Sequence, residues 1–262
     1  MNPQLMGIVN VTPDSFSDGG LYLDPEAAIA HGRELVAEGA DILDVGGEST
    51  RPGAQEVPVE EELRRVLPVV EGLAGAGVPV SVDTSKAAVA AAALDAGAAI
   101  VNDVTALRGD PEMAALCAAR RPTVILMHML GDPRTMQDDP RYEDVVVEVR
   151  DFLAVRLEAA VAAGIDAERI WLDPGIGFGK AEEHNLELLR RLGELRALGR
   201  PLVVGTSRKS FIGKLDGSPA GERAGGSIAS SLLAAAEGAG VLRVHDVGEL
   251  RQALTVAAAV LG

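Results

Sequence analysis

Arg243-Val244-His245-Asp246 closes an apolar run, and an extended chain puts Arg243 and His245 on one face, where a guanidinium and an imidazole can hold an oxyanion. A plainer role for the pair is a surface contact with Asp246. Another apolar run ends in Asp44-Val45-Gly46-Gly47-Glu48-Ser49-Thr50-Arg51-Pro52-Gly53. Backbone N–H groups freed by its glycines, with the Arg51 fork beside them, suit phosphate oxygens; a tight turn with Arg51 paired to Glu48 is the alternative. Lys209 lies in Gly205-Thr206-Ser207-Arg208-Lys209-Ser210-Phe211. The chain has only four lysines (86, 180, 209 and 214) against twenty arginines, so a lysine here points to a need for an ammonium rather than to a merely exposed side chain.

A second group suits a flat ring with donors and acceptors on its edge. Asp83 follows one apolar run and Asn102-Asp103 the next, and a carboxylate and an amide from neighbouring strand ends can orient a heterocycle. Against this stands a helix N-cap at Asp83 or Thr84. In Met127-His128-Met129 either the imidazole or the thioether pair faces inward; His128 reads as a satisfied core residue and the methionines as soft surface for a ring. Asp173-Pro174-Gly175-Ile176-Gly177-Phe178-Gly179-Lys180 suggests a nucleotide loop, yet its spacing fits neither the P-loop nor the dinucleotide pattern. Asn10 offers one amide oxygen to a hard cation such as Mg²⁺, with a phosphate supplying more. The loop after it, with Phe16 at its centre, otherwise reads as turns at Pro13-Asp14 and Asp18-Gly19.

These segments recur at the ends of short β-branched runs that alternate with Ala/Leu/Glu/Arg stretches of helical period. Strands are expected at 5–9, 42–45, 78–82, 99–102, 123–127, 169–172, 202–204 and 241–244. Helices are expected to begin near Pro25, Glu60, Lys86, Pro111, Tyr142, His184, Gly221 and Val247. Eight pairs in 262 residues, roughly 33 residues each, fit one α/β domain, a (β/α)₈ TIM barrel spanning residues 1–262. A doubly wound open sheet is the alternative. The segments leaving the strands are the long, Gly/Pro/Ser/Asp-rich ones, and in a barrel all of them lie on the C-terminal face.

A net charge of −15 argues against nucleic acid or an acidic membrane surface as a partner, so an anionic ligand needs the local cluster of Arg51, Lys209, Arg243 and His245. One cysteine, Cys117, excludes a disulfide framework and a cysteine-cluster metal site. With no signal-like N-terminus and no apolar run long enough for a span, a cytoplasmic protein is expected. Aromatics are only 3% of the chain, and Phe16, Phe178 and Phe211 fall in strand-to-helix segments, which leaves Val, Leu, Ile and Ala to fill the core.

In order and across almost the whole chain, the segments resemble motifs of the dihydropteroate synthase family of pterin-binding barrels. They are Gly7-Ile8-Val9-Asn10-Val11-Thr12-Pro13-Asp14-Ser15-Phe16-Ser17-Asp18-Gly19-Gly20, Gly46-Gly47-Glu48-Ser49-Thr50-Arg51-Pro52-Gly53, Asp173-Pro174-Gly175, Ser207-Arg208-Lys209-Ser210 and Arg243-Val244-His245-Asp246. The resemblance implies an enzyme of folate biosynthesis that joins p-aminobenzoate to (7,8-dihydropterin-6-yl)methyl diphosphate. It implies a pterin pocket of Asp83, Asn102, Met127, Asp173 and Lys209. Thr50, Arg51, Arg243 and His245 become diphosphate ligands, and Asn10 a ligand of a Mg²⁺ cofactor. Phe16, Pro52, Phe178, Lys209 and Ser210 would surround p-aminobenzoate, with Phe16 and Pro52 on mobile loops, and the catalytic group would be Asp173, Lys209, Arg243 and His245. A homodimer and sulfonamide sensitivity belong to the same expectation. Two departures stand out: the segment before the first strand is short, and Leu130 replaces a polar residue at the pocket rim.

Two other functions fit parts of this pattern. A methyltransfer module that binds methyltetrahydrofolate would share Asp83 and Asn102, but it has no use for the phosphate cluster. A catalytically silent pterin-binding barrel would tolerate losses among the motifs, and none is found.

Overall fold

The computed structural model describes residues 2–12, 24–49, 53–132 and 135–261. Its strands are β1 (Gln4–Asn10), β2 (Ile42–Gly46), β3 (Val80–Asp83), β4 (Ile100–Asp103), β5 (Thr123–Met127), β6 (Ile170–Asp173), β7 (Val203–Val204) and β8 (Val241–Val244). The helices are α1 (Pro25–Ala37), α2 (Val59–Leu73), α3 (Ala87–Asp95), α4 (Met113–Arg120), α5 (Val145–Ala162), α6 (Glu182–Arg190), α7 (Ser210–Asp216), α8 (Ala224–Ala236) and α9 (Val247–Leu261).

All pairings are parallel, in the order β6-β5-β4-β3-β2-β1-β8-β7. The circle closes through a single parallel bridge, Leu172 to Leu202, where the Leu172 N–H donates to the Pro201 carbonyl at 2.9 Å. Closure removes the open-sheet alternative and makes the fold a (β/α)₈ barrel.

Alternation along each strand sorts the core into two layers. Val9, Val45, Val82, Val101, Leu126, Leu172, Val204 and Leu242 face outward and join the helices in the main core. Met6, Ile42, Ile100, Ile125, Val203 and Val241 form a separate inner cluster with Trp171 against it. This cluster plugs the N-terminal end of the barrel. One inward step higher the same parity turns polar, with Asp44 and Ser81, then Asp83, Asn102 and Asp173, all buried.

The expected helix starts agree with the structure to within three residues, because local signals set them. Asp24 caps α1 through the Glu26 N–H at 3.1 Å, with Pro25 in the first turn, and Asp144 caps α5 through the N–H groups of Val146 and Val147. One element differs. The β7 segment was expected to be a loop as far as Gly221, but it contains α7, which Gly217 ends in the left-handed conformation at φ 79°. Seven residues are too few to show a helical period. Phe211 on α7 is 4% exposed and belongs to the main core, contrary to its expected loop position.

Ile125 is the central wedge of the floor. Ile125→Ala is expected to lower the unfolding free energy by about 2–5 kcal/mol, as a cavity there cannot collapse against a closed sheet. Urea unfolding measures this, and an effect no larger than that of an exposed alanine substitution would contradict the described floor.

Candidate active site

Register carries the candidate residues to one place. Asn10 pairs with Gly46, Gly46 with Asp83 and Asp83 with Asn102, a single inward row over four strand ends, and Met127 pairs with Asp173 across β5 and β6. Arg243 stands opposite Met6, also on the inward parity. Glycine at 46 keeps this row open, since a Cβ there would sit 3.5 Å from the Asp83 Cβ and 3.9 Å from the Asn10 Oδ1.

Charge is concentrated at the row. Arg243 Nε donates to Asp44 Oδ2 at 2.6 Å and its Nη2 to Asp83 Oδ2 at 2.9 Å, while Asn102 Nδ2 donates to the same Asp44 oxygen at 3.2 Å. Burial pushes the Asp83 carboxyl up to about 8; Arg243 opposes this, and Asp44, Glu62 and Asp103 reinforce it by like-charge repulsion. Burial works against the Arg243 cation, but Asp44 and Asp83 outweigh it and hold its pKa above the usual arginine value.

The surface-pair alternative for Arg243 and His245 therefore does not describe this chain. Asp246 is paired with Arg208 at 2.5 Å, and His245 Nδ1 lies 2.9 Å from the Ser207 hydroxyl. The N-cap alternative for Asp83 fails as well. At the start of α3 the Lys86 N–H donates to Thr84 Oγ1 at 3.2 Å and the Ala87 N–H to Asp110 Oδ2 at 2.8 Å, while the Asp83 carboxylate is turned to Arg243. Glu48 is occupied by Lys86 and by the Val57 N–H at 2.9 Å. Phe16, Thr50, Arg51 and Pro52 lie outside the described residues.

Lys209 enters from the opposite side. Its Nζ donates to the Ile176 carbonyl and lies 4.4 Å from the centroid of the Phe178 ring. Burial lowers its pKa to about 8, Asp173 opposes that shift and Arg243 adds to it. Asp173 accepts the Gly175 N–H at 2.7 Å; burial raises its pKa, against Lys209, that bond and Arg243. Phe178 joins Val104, Met127, Met129 and Met136 in a small apolar cluster, which places the methionine surface beside the polar row. Ser210 opens α7 and is exposed, as is the rim residue Leu130.

The glycine-rich segment after β6 is a self-bonded loop, and its lysine is the residue least visible in the sequence. Lys180 Nζ donates to the carbonyls of Gly175 at 2.9 Å and Phe178 at 3.0 Å and lies 2.8 Å from His128 Nδ1. Burial, with Lys180 adding to it, pulls the His128 pKa down to about 2 and keeps the ring neutral. Burial pulls Lys180 itself well below the usual lysine value. From outside, Tyr142 OH and Gln137 Nε2 donate to the Gly179 and Gly177 carbonyls, each at 2.7 Å, and Asn185 Oδ1 accepts the Gly177 N–H at 2.6 Å. Gly175, at φ 66°, is obligatory, because a Cβ there would lie 1.9 Å from the His128 carbonyl oxygen.

Asn10 is half-buried at the end of β1. Among the described residues no group of three or more His, Cys, Asp or Glu could hold a metal ion. Asn10 offers a single amide oxygen to a hard cation at this strand end, so most of that ion's ligands would be other oxygens.

Residues 6–245 match the family described as pterin binding enzyme. The chain belongs to the pterin binding enzymes. Among these it is 50% identical over 256 residues to the dihydropteroate synthase of Neisseria meningitidis serogroup C, covering 96% of this chain and 90% of that one. The Yersinia pestis dihydropteroate synthase, solved with a sulfonamide drug complex, superposes with a TM-score of 0.96 at 47% identity over 98% of this chain and 94% of that one. The Xanthomonas albilineans enzyme superposes over 100% of this chain and 94% of its own, in two solved structures. With 4-aminobenzoic acid the TM-score is 0.93 at 54% identity, and with 7,8-dihydropteroate it is 0.89 at 50% identity.

Within this pterin binding enzyme, Lys180→Met keeps the side chain's bulk but strips the β6 loop of its internal donor. Two buried carbonyls and an imidazole nitrogen are then unpaired, and a stability loss of about 2 kcal/mol is expected. Chemical denaturation checks it, and unchanged stability would mean that the loop does not depend on Lys180.

Proposed function

We infer that this chain catalyses the dihydropteroate synthase reaction, joining p-aminobenzoate to (7,8-dihydropterin-6-yl)methyl diphosphate with release of diphosphate and formation of 7,8-dihydropteroate. The observation that carries the reading is the convergence of Asp83, Asn102, Met127, Asp173 and Lys209 at the mouth of a barrel of this family. Three acceptor-bearing side chains, one ammonium and a thioether surface complement a 2-amino-4-oxo ring edge, which offers N–H donors beside a carbonyl.

The chemistry follows from charge. The methylene C–O bond breaks with its electrons leaving on diphosphate, and Arg243, His245, Thr50 and Arg51 would neutralise that charge. Mg²⁺ held by Asn10 and phosphate oxygens would, when bound, screen the same charge. The remaining cation is conjugated with the electron-rich dihydropterin, and the carboxylate of Asp173, a buried residue, is the group assigned to stabilise the ring's positive charge. The p-aminobenzoate nitrogen then attacks with its lone pair, forms the C–N bond and loses a proton. Phe178 beneath Lys209, with Ser210, supports an arylamine site next to the pterin, and Phe16 and Pro52 are further residues of that site in this reading.

Self-association into a homodimer is part of this reading. Its support is an apolar groove of about 550 Å³ between α6, α7 and α8, where Leu215 is 56% and Leu233 63% exposed. No helix among the described residues is long and apolar enough to cross a membrane, and a cytoplasmic location is the corresponding proposal.

Incubation with the pterin diphosphate, p-aminobenzoate and Mg²⁺ is expected to yield dihydropteroate and diphosphate in equal amounts; absence of both would refute the assignment. Lys209→Ala and Asp173→Asn are each expected to reduce turnover at least about a hundredfold with the far-UV spectrum unchanged. Near-wild-type rates in either would remove that residue from the chemistry.

The pH dependence follows from the depressed Lys209 pKa. The ammonium is lost as pH rises through about 8, so turnover should decline above that point. In Lys209→Arg, which stays charged, the residual rate should show no such decline. An alkaline limb that persists unaltered in the arginine variant would assign it to another group.

A further inference from the structure

One buried atom orients two members of the site without belonging to it. Asp44 is 0% exposed in the middle of β2, and its Oδ2 accepts from Arg243 on β8 and from Asn102 on β4, neither of which neighbours β2 in the sheet. We propose that Asp44 is a positioning residue that sets which edge of the Asn102 amide the pterin meets and seats Arg243 against Asp83. This inference rests on the pterin reading above.

A carboxylate only accepts hydrogen bonds, so the Asn102 group turned to Asp44 is the NH₂, and the amide carbonyl is directed away from it. The pocket then presents Asn102 as an acceptor alongside Asp83 and Asp173, with Lys209 as the donor. A ring edge rich in N–H groups fits that polarity, and one rich in bare nitrogens does not. The same oxygen holds the Arg243 Nε, which leaves Nη2 to reach Asp83 at 2.9 Å.

Fold stability does not explain an acid at this position. It interrupts the apolar run Ile42-Leu43-Asp44-Val45, and its other oxygen, Oδ1, has no hydrogen-bond partner among the described residues. Burying a charged group with one oxygen unsatisfied opposes folding, and an apolar side chain of similar volume would avoid that penalty. The two donors that converge on Oδ2 are what the carboxylate provides for.

Asp44 also acts on Asp83 through charge. Arg243 from β8, Asp44 from β2, Glu62 from α2 and Asp103 from β4 surround the Asp83 carboxyl, and Asp44 is one of the three acids that push it up. A pterin that needs the ionised Asp83 loses affinity as pH falls through that group's pKa. Neutralising Asp44 removes one repulsion and leaves Arg243 more fully to Asp83. Both changes lower the Asp83 pKa, so the loss of affinity must move to lower pH.

The test measures calorimetric affinity of the full chain for 6-hydroxymethylpterin, which carries no phosphate, from about pH 5 to about pH 9. Asp44→Leu, with the same branched outline but larger and without an acceptor, is expected to bind at least about tenfold more weakly at neutral pH. Asp44→Asn keeps an acceptor and is expected to stay within about threefold, with its acid-side midpoint shifted down. Asp44→Leu binding as tightly as wild type would overturn the proposal. Should that variant not fold, an unmoved midpoint in Asp44→Asn would overturn it on its own. Wild-type turnover to dihydropteroate, followed in parallel, separates failure of this inference from failure of the reaction assignment.

Discussion

Arg243 bridges two buried carboxylates inside a closed sheet, and the upper half of the barrel is organised around that bridge. Ions removed from water are tolerated only when paired and hydrogen-bonded, and here the partners come from β2, β3 and β8, with Asn102 of β4 on the same acid. The bridge thus ties four strand ends together in the layer directly above the apolar floor. Lys209 and Asp173 form a second opposite-charge pair across from it, at the N-cap of α7 and the end of β6. Acids on β2, β3 and β6 thus share the mouth with cations on β8 and just beyond β7, and a polar ligand enters a site whose charges folding has already set in place.

Much of this was legible before any coordinates. The sequence put Asn10, Asp83, Asn102, Met127 and Asp173 at or just past strand ends and Arg243 and His245 on one face, and closure of the barrel converted those positions into proximity; the sequence left open whether His128 or the methionine pair faces inward. The pairings that were not legible are those made across the lumen. Asp44 and Arg243 are 199 residues apart, and nothing local distinguishes an acid that faces a distant guanidinium from one that ends a strand. Its only sequence signal is a charge inside an apolar run.

Lys180 and α7 were missed for different physical reasons. A lysine closing a glycine-rich stretch ordinarily extends into solvent, whereas here the glycines adopt left-handed conformations that fold their carbonyls back onto its ammonium. α7 is too short for its apolar residues to display a period, and its core role rests on Phe211 packing beneath the β7 loop. The scarcity of aromatics also takes on a sharper sense. Phe178 stands beside Lys209 at the mouth, and Phe211 serves the core.

The barrel is closed by unequal seams. Seven strand pairs are joined by ladders, but β6 and β7 meet through one bridge beside the two-residue β7. Asp173 and Lys209 sit on either side of that seam. Mechanical compliance is thereby concentrated between the two groups proposed to flank the ring, while the ladders fix the Asn10, Asp83 and Asn102 row. In the proposed reaction one half of the site would be an anvil and the other a jaw: the fixed half would keep the ring in register, and the compliant half would take up the change in thickness when an arylamine is joined to it.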